Sequence, residues 1–246
     1  MSQPKTSPSI DAAALADRLR TVRERIEAAC ARANRLPEEI TLVGISKTFP
    51  LEASRVAFEH GIRDFGENRA GPLSEKATAW PGEYLGGEIR WHMVGHLQRN
   101  KAKDIVEHAD VFHALDSPRL AKELNKRAGR EERVLPCFVQ VHISGEESKY
   151  GLDPEETHEY LDTLKDFPHL HVIGLMGLAS FVDDPEDVRP QFQLLRELRD
   201  TYDDSDNPVV KMNALSMGMS NDFEVAIEEG ATHLRLGTAI FGPRDY

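Results

Sequence analysis

The sequence predicts an α/β protein, a single (β/α)8 TIM barrel preceded by one extra N-terminal helix. Three observations carry that expectation. Eight short apolar, β-branched runs punctuate the 246 residues, and such runs read as strands buried on both faces. Each is followed by a stretch with helical spacing, the β-then-α order that gives parallel pairing and right-handed crossovers. No shift in composition marks a linker, and the length matches the roughly 250 residues of a closed α/β barrel. Eight units favour closure over an open sheet, so residues 1–246 are expected to form one domain.

In chain order, residues 1–8 are polar with two prolines and are expected to be frayed and disordered. From Ser9, a candidate N-cap, Leu15, Leu19, Val22, Ile26, Ala29 and Ala33 recur at helical spacing. The first strand is the run Ile40-Thr41-Leu42-Val43-Gly44-Ile45, which stops at Ser46-Lys47-Thr48. A helix over 50–60 closes at Gly61, and Asp64-Phe65-Gly66-Glu67 is the second strand, leading through Asn68 to a helix over 70–79. A glycine-rich loop over 80–88 precedes the third strand at 89–95 and a basic helix over 98–107. The fourth strand is 111–115, and Ser117-Pro118 opens the next helix, with proline in its first turn. Strands five and six are 137–143 and 171–178, with Asp153-Pro154-Glu155-Glu156 as a cap and helix start between them. A helix over 188–202, a seventh strand from Asn213 to Ser216, a helix over 221–229 and an eighth strand at 233–237 complete the pattern.

Composition narrows the function. The 42 acidic residues outnumber 30 basic ones, giving a net charge of −12, which argues against a surface built for nucleic acid or anionic lipid. No apolar stretch approaches the roughly 18 residues that span a bilayer. Only Cys30 and Cys137 are present, with no metal-binding or disulfide spacing, so a reducing cytoplasm is the expected location. With no apolar stripe left over, a monomer is the simplest expectation.

The chemistry concentrates at the carboxyl ends of the strands, where α/β barrels keep their sites. Lys47 places an amine there. The loops after strands seven and eight, Leu215-Ser216-Met217-Gly218-Met219-Ser220 and Leu236-Gly237-Thr238-Ala239, combine glycine with hydroxyl donors, as a phosphate cup requires. Alternation sets Arg235 opposite Leu234 and Leu236, pointing into the barrel, where a guanidinium needs an acceptor. That acceptor is either a carboxylate such as Glu67 or a ligand atom over the barrel mouth. An amine, a phosphate cup and an arginine aimed at a heteroaromatic nitrogen are the three anchors of pyridoxal 5′-phosphate, because only a primary amine forms the imine with its aldehyde. His92 and His96 lie four apart across a strand end, with no third ligand at a recognisable spacing, so no metal site is expected. Arg99, Lys101 and Lys103 read as a solvated face or a docking surface for a client enzyme. Lys149 is the rival amine, in a polar loop.

The chain resembles the YggS/PROSC family of pyridoxal phosphate homeostasis proteins, which share the barrel of alanine racemase. The likeness runs through Val43-Gly44-Ile45-Ser46-Lys47-Thr48, Phe65-Gly66-Glu67-Asn68, the segment from Trp91 to Lys101, Gly145 to Leu152, Gly174-Leu175-Met176-Gly177, Leu215 to Ser220 and Arg235 to Gly242. The resemblance implies that Lys47 carries the cofactor as a Schiff base, that Ser216, Met217, Gly237 and Thr238 line the phosphate cup, and that Arg235 faces the pyridine nitrogen. It also implies Asn68 beside the ring and Met176 against it. One departure, Arg69-Ala70-Gly71-Pro72-Leu73 after Asn68, predicts a late or bent start to the following helix. Arginine keeps its proton and leaves the ring nitrogen unprotonated, a poorer electron sink. The chain also stops after the eighth strand, where alanine racemase continues into a second domain. The expectation is therefore binding, homeostasis and delivery of pyridoxal 5′-phosphate to client enzymes with little turnover. The alternatives are an amino-acid racemase-like enzyme and a cofactor-free Schiff-base aldolase.

Overall fold

Each apolar run becomes one stave of a closed parallel barrel. A computed structural model describes residues 11–80, 83–84, 87–146, 150–204 and 206–243. The strands are β1 (Thr41–Ile45), β2 (Asp64–Glu67), β3 (Arg90–Met93), β4 (Val111–Leu115), β5 (Leu135–Val141), β6 (Leu170–Gly177), β7 (Val210–Ser216) and β8 (His233–Leu236). Every neighbour pairs in parallel, and β1 closes on β8 with Val43 opposite Arg235.

Helices α1 (Ala12–Arg32), α2 (Leu51–Glu59), α3 (Ala70–Ala79), α4 (Ala102–His108), α5 (Pro118–Arg130), α6 (Thr157–Thr163), α7 (Arg189–Thr201), α8 (Phe223–Glu228) and α9 (Thr238–Phe241) accompany them. The core lies mainly between the staves and this outer layer. Phe65 and Trp91 from the strands meet Trp80 from the end of α3 at centroid distances of 5.7 and 6.4 Å. Such side chains stabilise by roughly 2–3 kcal/mol each on burial. Inside the barrel the apolar contribution is small: Val111, Phe138, Met176 and Ala214 form a separate cluster.

α1 buries Leu15, Leu19, Val22 and Ile26, and Arg18 Nε donates to the Ile240 carbonyl at 2.8 Å, fastening α1 to α9. Several expectations change in detail. The N-cap of α1 is Asp11, which accepts from the Ala14 N–H at 3.0 Å; Ser9 and residues 1–8, expected to be frayed, lie outside the described residues. α3 begins at Ala70 directly after Arg69, so the predicted late start is incorrect: Pro72 sits in the first turn, where a missing N–H is tolerated. The 80–88 loop contains a short antiparallel ribbon, Glu83–Tyr84 with Gly87–Glu88. The basic helix opens with a 3-10 turn at Arg99–Lys101 before α4. β7 starts at Val210, earlier than the pattern suggested, and α9 was not predicted. No helix among the described residues is long and apolar enough to cross a membrane.

Candidate cofactor site

Lys47 follows β1 by two residues, on the side facing the barrel axis. Val43 and Ile45 point inward: a Cβ built on the inward-facing Gly66 would lie 2.5 Å from Ile45 Cδ1 and 3.2 Å from Val43 Cγ1. Alternation carries Lys47 to the same side. There it lines a cavity of about 550 Å³ at the carboxyl ends of the strands, together with Asn68, Ser220, Arg235, Gly237 and Thr238. Phe181, 86% exposed, stands at its mouth.

The chain around Lys47 is held from behind. Lys76 Nζ donates to the Ser46 carbonyl at 2.9 Å and to Glu67 Oε1 at 2.6 Å, and the Ser46 hydroxyl donates to the same carboxylate oxygen at 2.8 Å. Glu67 is 1% exposed, so an α3 cation neutralises a carboxylate that would be costly alone. Glu67 thereby serves Lys76 rather than Arg235. Thr48, next to Lys47, takes φ 72°, a left-handed conformation that a β-branched residue adopts only under constraint.

Arg235 is buried, with 4% of its surface exposed, and points inward as alternation requires. Its Nη1 donates to Ser216 Oγ at 2.6 Å and its Nη2 to the Gly177 carbonyl at 2.8 Å. Burial lowers its pKa to about 10, against the opposing charge of Asp222, so it remains a cation at neutral pH. Asp222, also lining the cavity, is pushed up by burial and accepts from the Met219 N–H. The two Gly-rich turns meet here: the Ala239 N–H donates to Ser220 Oγ at 3.2 Å, and Gly218 takes φ 91° where a Cβ would strike Ala226 Cβ at 2.7 Å.

The structure brings Lys47, Asn68, Arg235, Gly237 and Thr238 to one cavity. Ser216, Met217 and Met176 are fully buried and are not among its lining residues. Ser216 Oγ lies beneath Arg235, Met217 packs in the outer core and Met176 in the inner cluster. Lys149 lies outside the described residues. His92 and His96 separate: His92 is buried in the barrel, whereas His96 bonds Asp116 at 2.9 Å and stacks on Tyr150 at 3.9 Å. Lys101 and Lys103 each pair along their helix, with Asp104 and Glu107. No motif marks Asp64, Lys76, His113 or His233. The one available signal is a polar residue alternating with apolar ones, as in Phe112-His113-Ala114, which puts the histidine on the inner face.

Residues 10–245 match the family model described as the alanine racemase N-terminal domain. A pyridoxal phosphate homeostasis protein from Aquifex aeolicus is 42% identical over 230 residues, covering 94% of this chain and 98% of that protein. The chain belongs to the pyridoxal phosphate homeostasis protein family. The human member is 41% identical over 237 residues, covering 93% of this chain and 86% of its own. Among solved structures, PipY of Synechococcus elongatus with PLP bound is 32% identical, with TM-score 0.75, covering 93% of this chain and all (100%) of that one. An alanine racemase from Clostridium difficile superposes with TM-score 0.68 at 14% identity, a likeness of fold, and covers 94% of this chain but 57% of that enzyme.

Proposed function

We propose that this chain binds pyridoxal 5′-phosphate at the carboxyl mouth of its barrel and holds it covalently through Lys47 for intracellular homeostasis and delivery, with little turnover of its own. The observation that carries the reading is the shared cavity: Lys47, Arg235 and the Gly237–Thr238 turn all line it. The residues suit the group. When bound, pyridoxal 5′-phosphate supplies an aldehyde for a primary amine and an electron-withdrawing ring.

Lys47 is the amine, set on an inward face of the cavity that Arg235 also lines. The turn at Gly237 and Thr238, with Ser220 beside it, offers backbone and hydroxyl donors to a phosphate. Ser216 supports the site from below through Arg235, while Met176 packs in the barrel interior and Met217 in the outer core. Asn68 flanks the ring position. Arg235 donates to the ring nitrogen and cannot protonate it, so the reading assigns the protein to holding the cofactor rather than to carbanion chemistry. Client enzymes as partners, a monomeric state and a cytoplasmic location belong to the same reading.

The deciding measurement is the visible spectrum of the purified protein after addition of pyridoxal 5′-phosphate, for wild type and Lys47→Ala. The expected result is a borohydride-reducible band in the wild type alone. A wild type that takes up no cofactor sinks the reading, and a variant with an equal band moves the tether to another lysine. Sustained exchange of amino-acid α-protons in deuterated water would favour the racemase-like alternative.

A further inference from the structure

Six polar side chains cross the barrel interior, from its amino end to the cavity at its carboxyl mouth. Arg90 grips Asp64 with bonds of 2.7 and 2.8 Å. Asp64 Oδ1 lies 2.8 Å from His92 Nε2, and His92 Nδ1 lies 2.8 Å from His113 Nε2. His113 Nδ1 is 2.8 Å from Ser216 Oγ, which accepts from Arg235 Nη1 at 2.6 Å. Asp64, His92, His113, Ser216 and Arg235 each expose 5% or less of their surface, so the protons must be shared among these groups.

Their directions can be deduced. Arg235 only donates. Burial pushes the Asp64 carboxyl up, but its bonds to His92 and Arg90 outweigh it and hold the pKa at about 2, so Asp64 only accepts. Burial, reinforced by the charge of Arg235, keeps His113 well below the ordinary histidine range, hence neutral with one N–H. With a single proton on His92, one arrangement makes every bond; a second proton there would turn His113 round and put its proton on Nδ1. His92 Nε2–H donates to Asp64, His113 Nε2–H to His92 Nδ1, and the Ser216 hydroxyl to His113 Nδ1. Every donor from Arg235 onward then points toward Asp64.

We propose that Asp64 is the remote counter-ion of Arg235, and that His92, His113 and Ser216 are positioning residues that carry its charge along an aligned row of hydrogen bonds. Aligned bonds polarise one another, so a Ser216 oxygen that gives its proton away becomes a stronger acceptor for the guanidinium. Arg235 is thereby fixed under the cavity by a carboxylate at the far end of the barrel. The other groups facing the row are His233 from β8, with its ring 6.1 Å from that of His113, and Phe138 from β5 at 4.5 Å. Asp222 acts on Arg235 from the mouth, yet burial raises its pKa. It is therefore the less firmly held anion of the two.

This inference rests on the proposed cofactor site for its consequence, and its test separates the two. Nitrogen NMR of the ¹⁵N-labelled protein without cofactor should find His113 protonated at Nε2 and bare at Nδ1 at neutral pH; a proton on Nδ1 overturns the row. With pyridoxal 5′-phosphate bound, Asp64→Asn at one end and Ser216→Ala at the other should shift the pH midpoint of the visible band in the same direction and weaken uptake severalfold. If Asp64→Asn unfolds cooperatively yet titrates and binds as the wild type does, while Ser216→Ala does not, the coupling is refuted. If Asp64→Asn does not fold, the ring-nitrogen result alone decides. If the wild type takes up no cofactor, the proposed function falls while the NMR measurement still judges the row.

Discussion

His233 makes the barrel interior sensitive to mild acid. It lies on β8, its Nδ1 2.9 Å from Thr232 Oγ1, its ring edge-on to Phe138 at 5.0 Å and near His113 at 6.1 Å. Burial lowers its pKa from 6.5 to about 3, with Asp64 opposing. The unfolded chain therefore binds a proton between those limits that the folded chain refuses. The resulting stability is fully present above the unfolded pKa and is lost as pH falls from 6.5 toward 3. Between pH 7 and pH 5, a group with these two pKa values costs at most about 2 kcal/mol, and His113, shifted in the same direction, adds to it. For a domain of this size that is a fall in Tm of roughly 4–8 °C. The assay is thermal or urea unfolding at pH 7 and pH 5 for wild type and His233→Gln, which keeps a polar partner for Thr232 but cannot titrate. The variant should lose markedly less stability than the wild type across this interval. Equal losses in the two proteins would refute the assignment of the acid sensitivity to His233.

Three further outcomes follow from the geometry behind the site. Glu67→Ala leaves the Lys76 ammonium, 12% exposed, without its carboxylate and should destabilise by about 3 kcal/mol in urea unfolding, more than Glu67→Gln does. Gly95→Ala would place a Cβ 2.3 Å from the Asn68 carbonyl oxygen; uptake of pyridoxal 5′-phosphate should fall, with a stability loss of about 1–3 kcal/mol, though Lys47 is untouched. Thr48→Asn replaces a β-branched residue at φ 72° with one that tolerates this region, and should raise stability by about 1 kcal/mol in the same unfolding assay.

The barrel was legible in the sequence because its signals are local. Each strand is a continuous apolar run, each helix has its own periodicity, and their strict alternation leaves few topologies. Lys47 was legible for the same reason, since a strand that ends in lysine delivers that amine to the functional rim. Arg235 was half legible: alternation turned it inward, but its partner could have been Glu67, and only the folded chain shows Ser216 and the Gly177 carbonyl there. α9, four residues long, is too short to show a period.

The pairing of side chains along the interior row lay beyond sequence reasoning. His92 is 28 residues from Asp64 and 21 from His113, and His113 is 103 from Ser216. None of these separations is a motif. The same holds for Lys76, whose reach to Glu67 and Ser46 depends on how α3 packs against β2 and β3. Sequence by itself determined which residues are apolar, the order in which strands and helices alternate, and that an amine stands at the rim. Closure of the sheet decided which inward side chains share a height in the barrel, because strand register, set by packing all the way round, brings distant residues within hydrogen-bond reach.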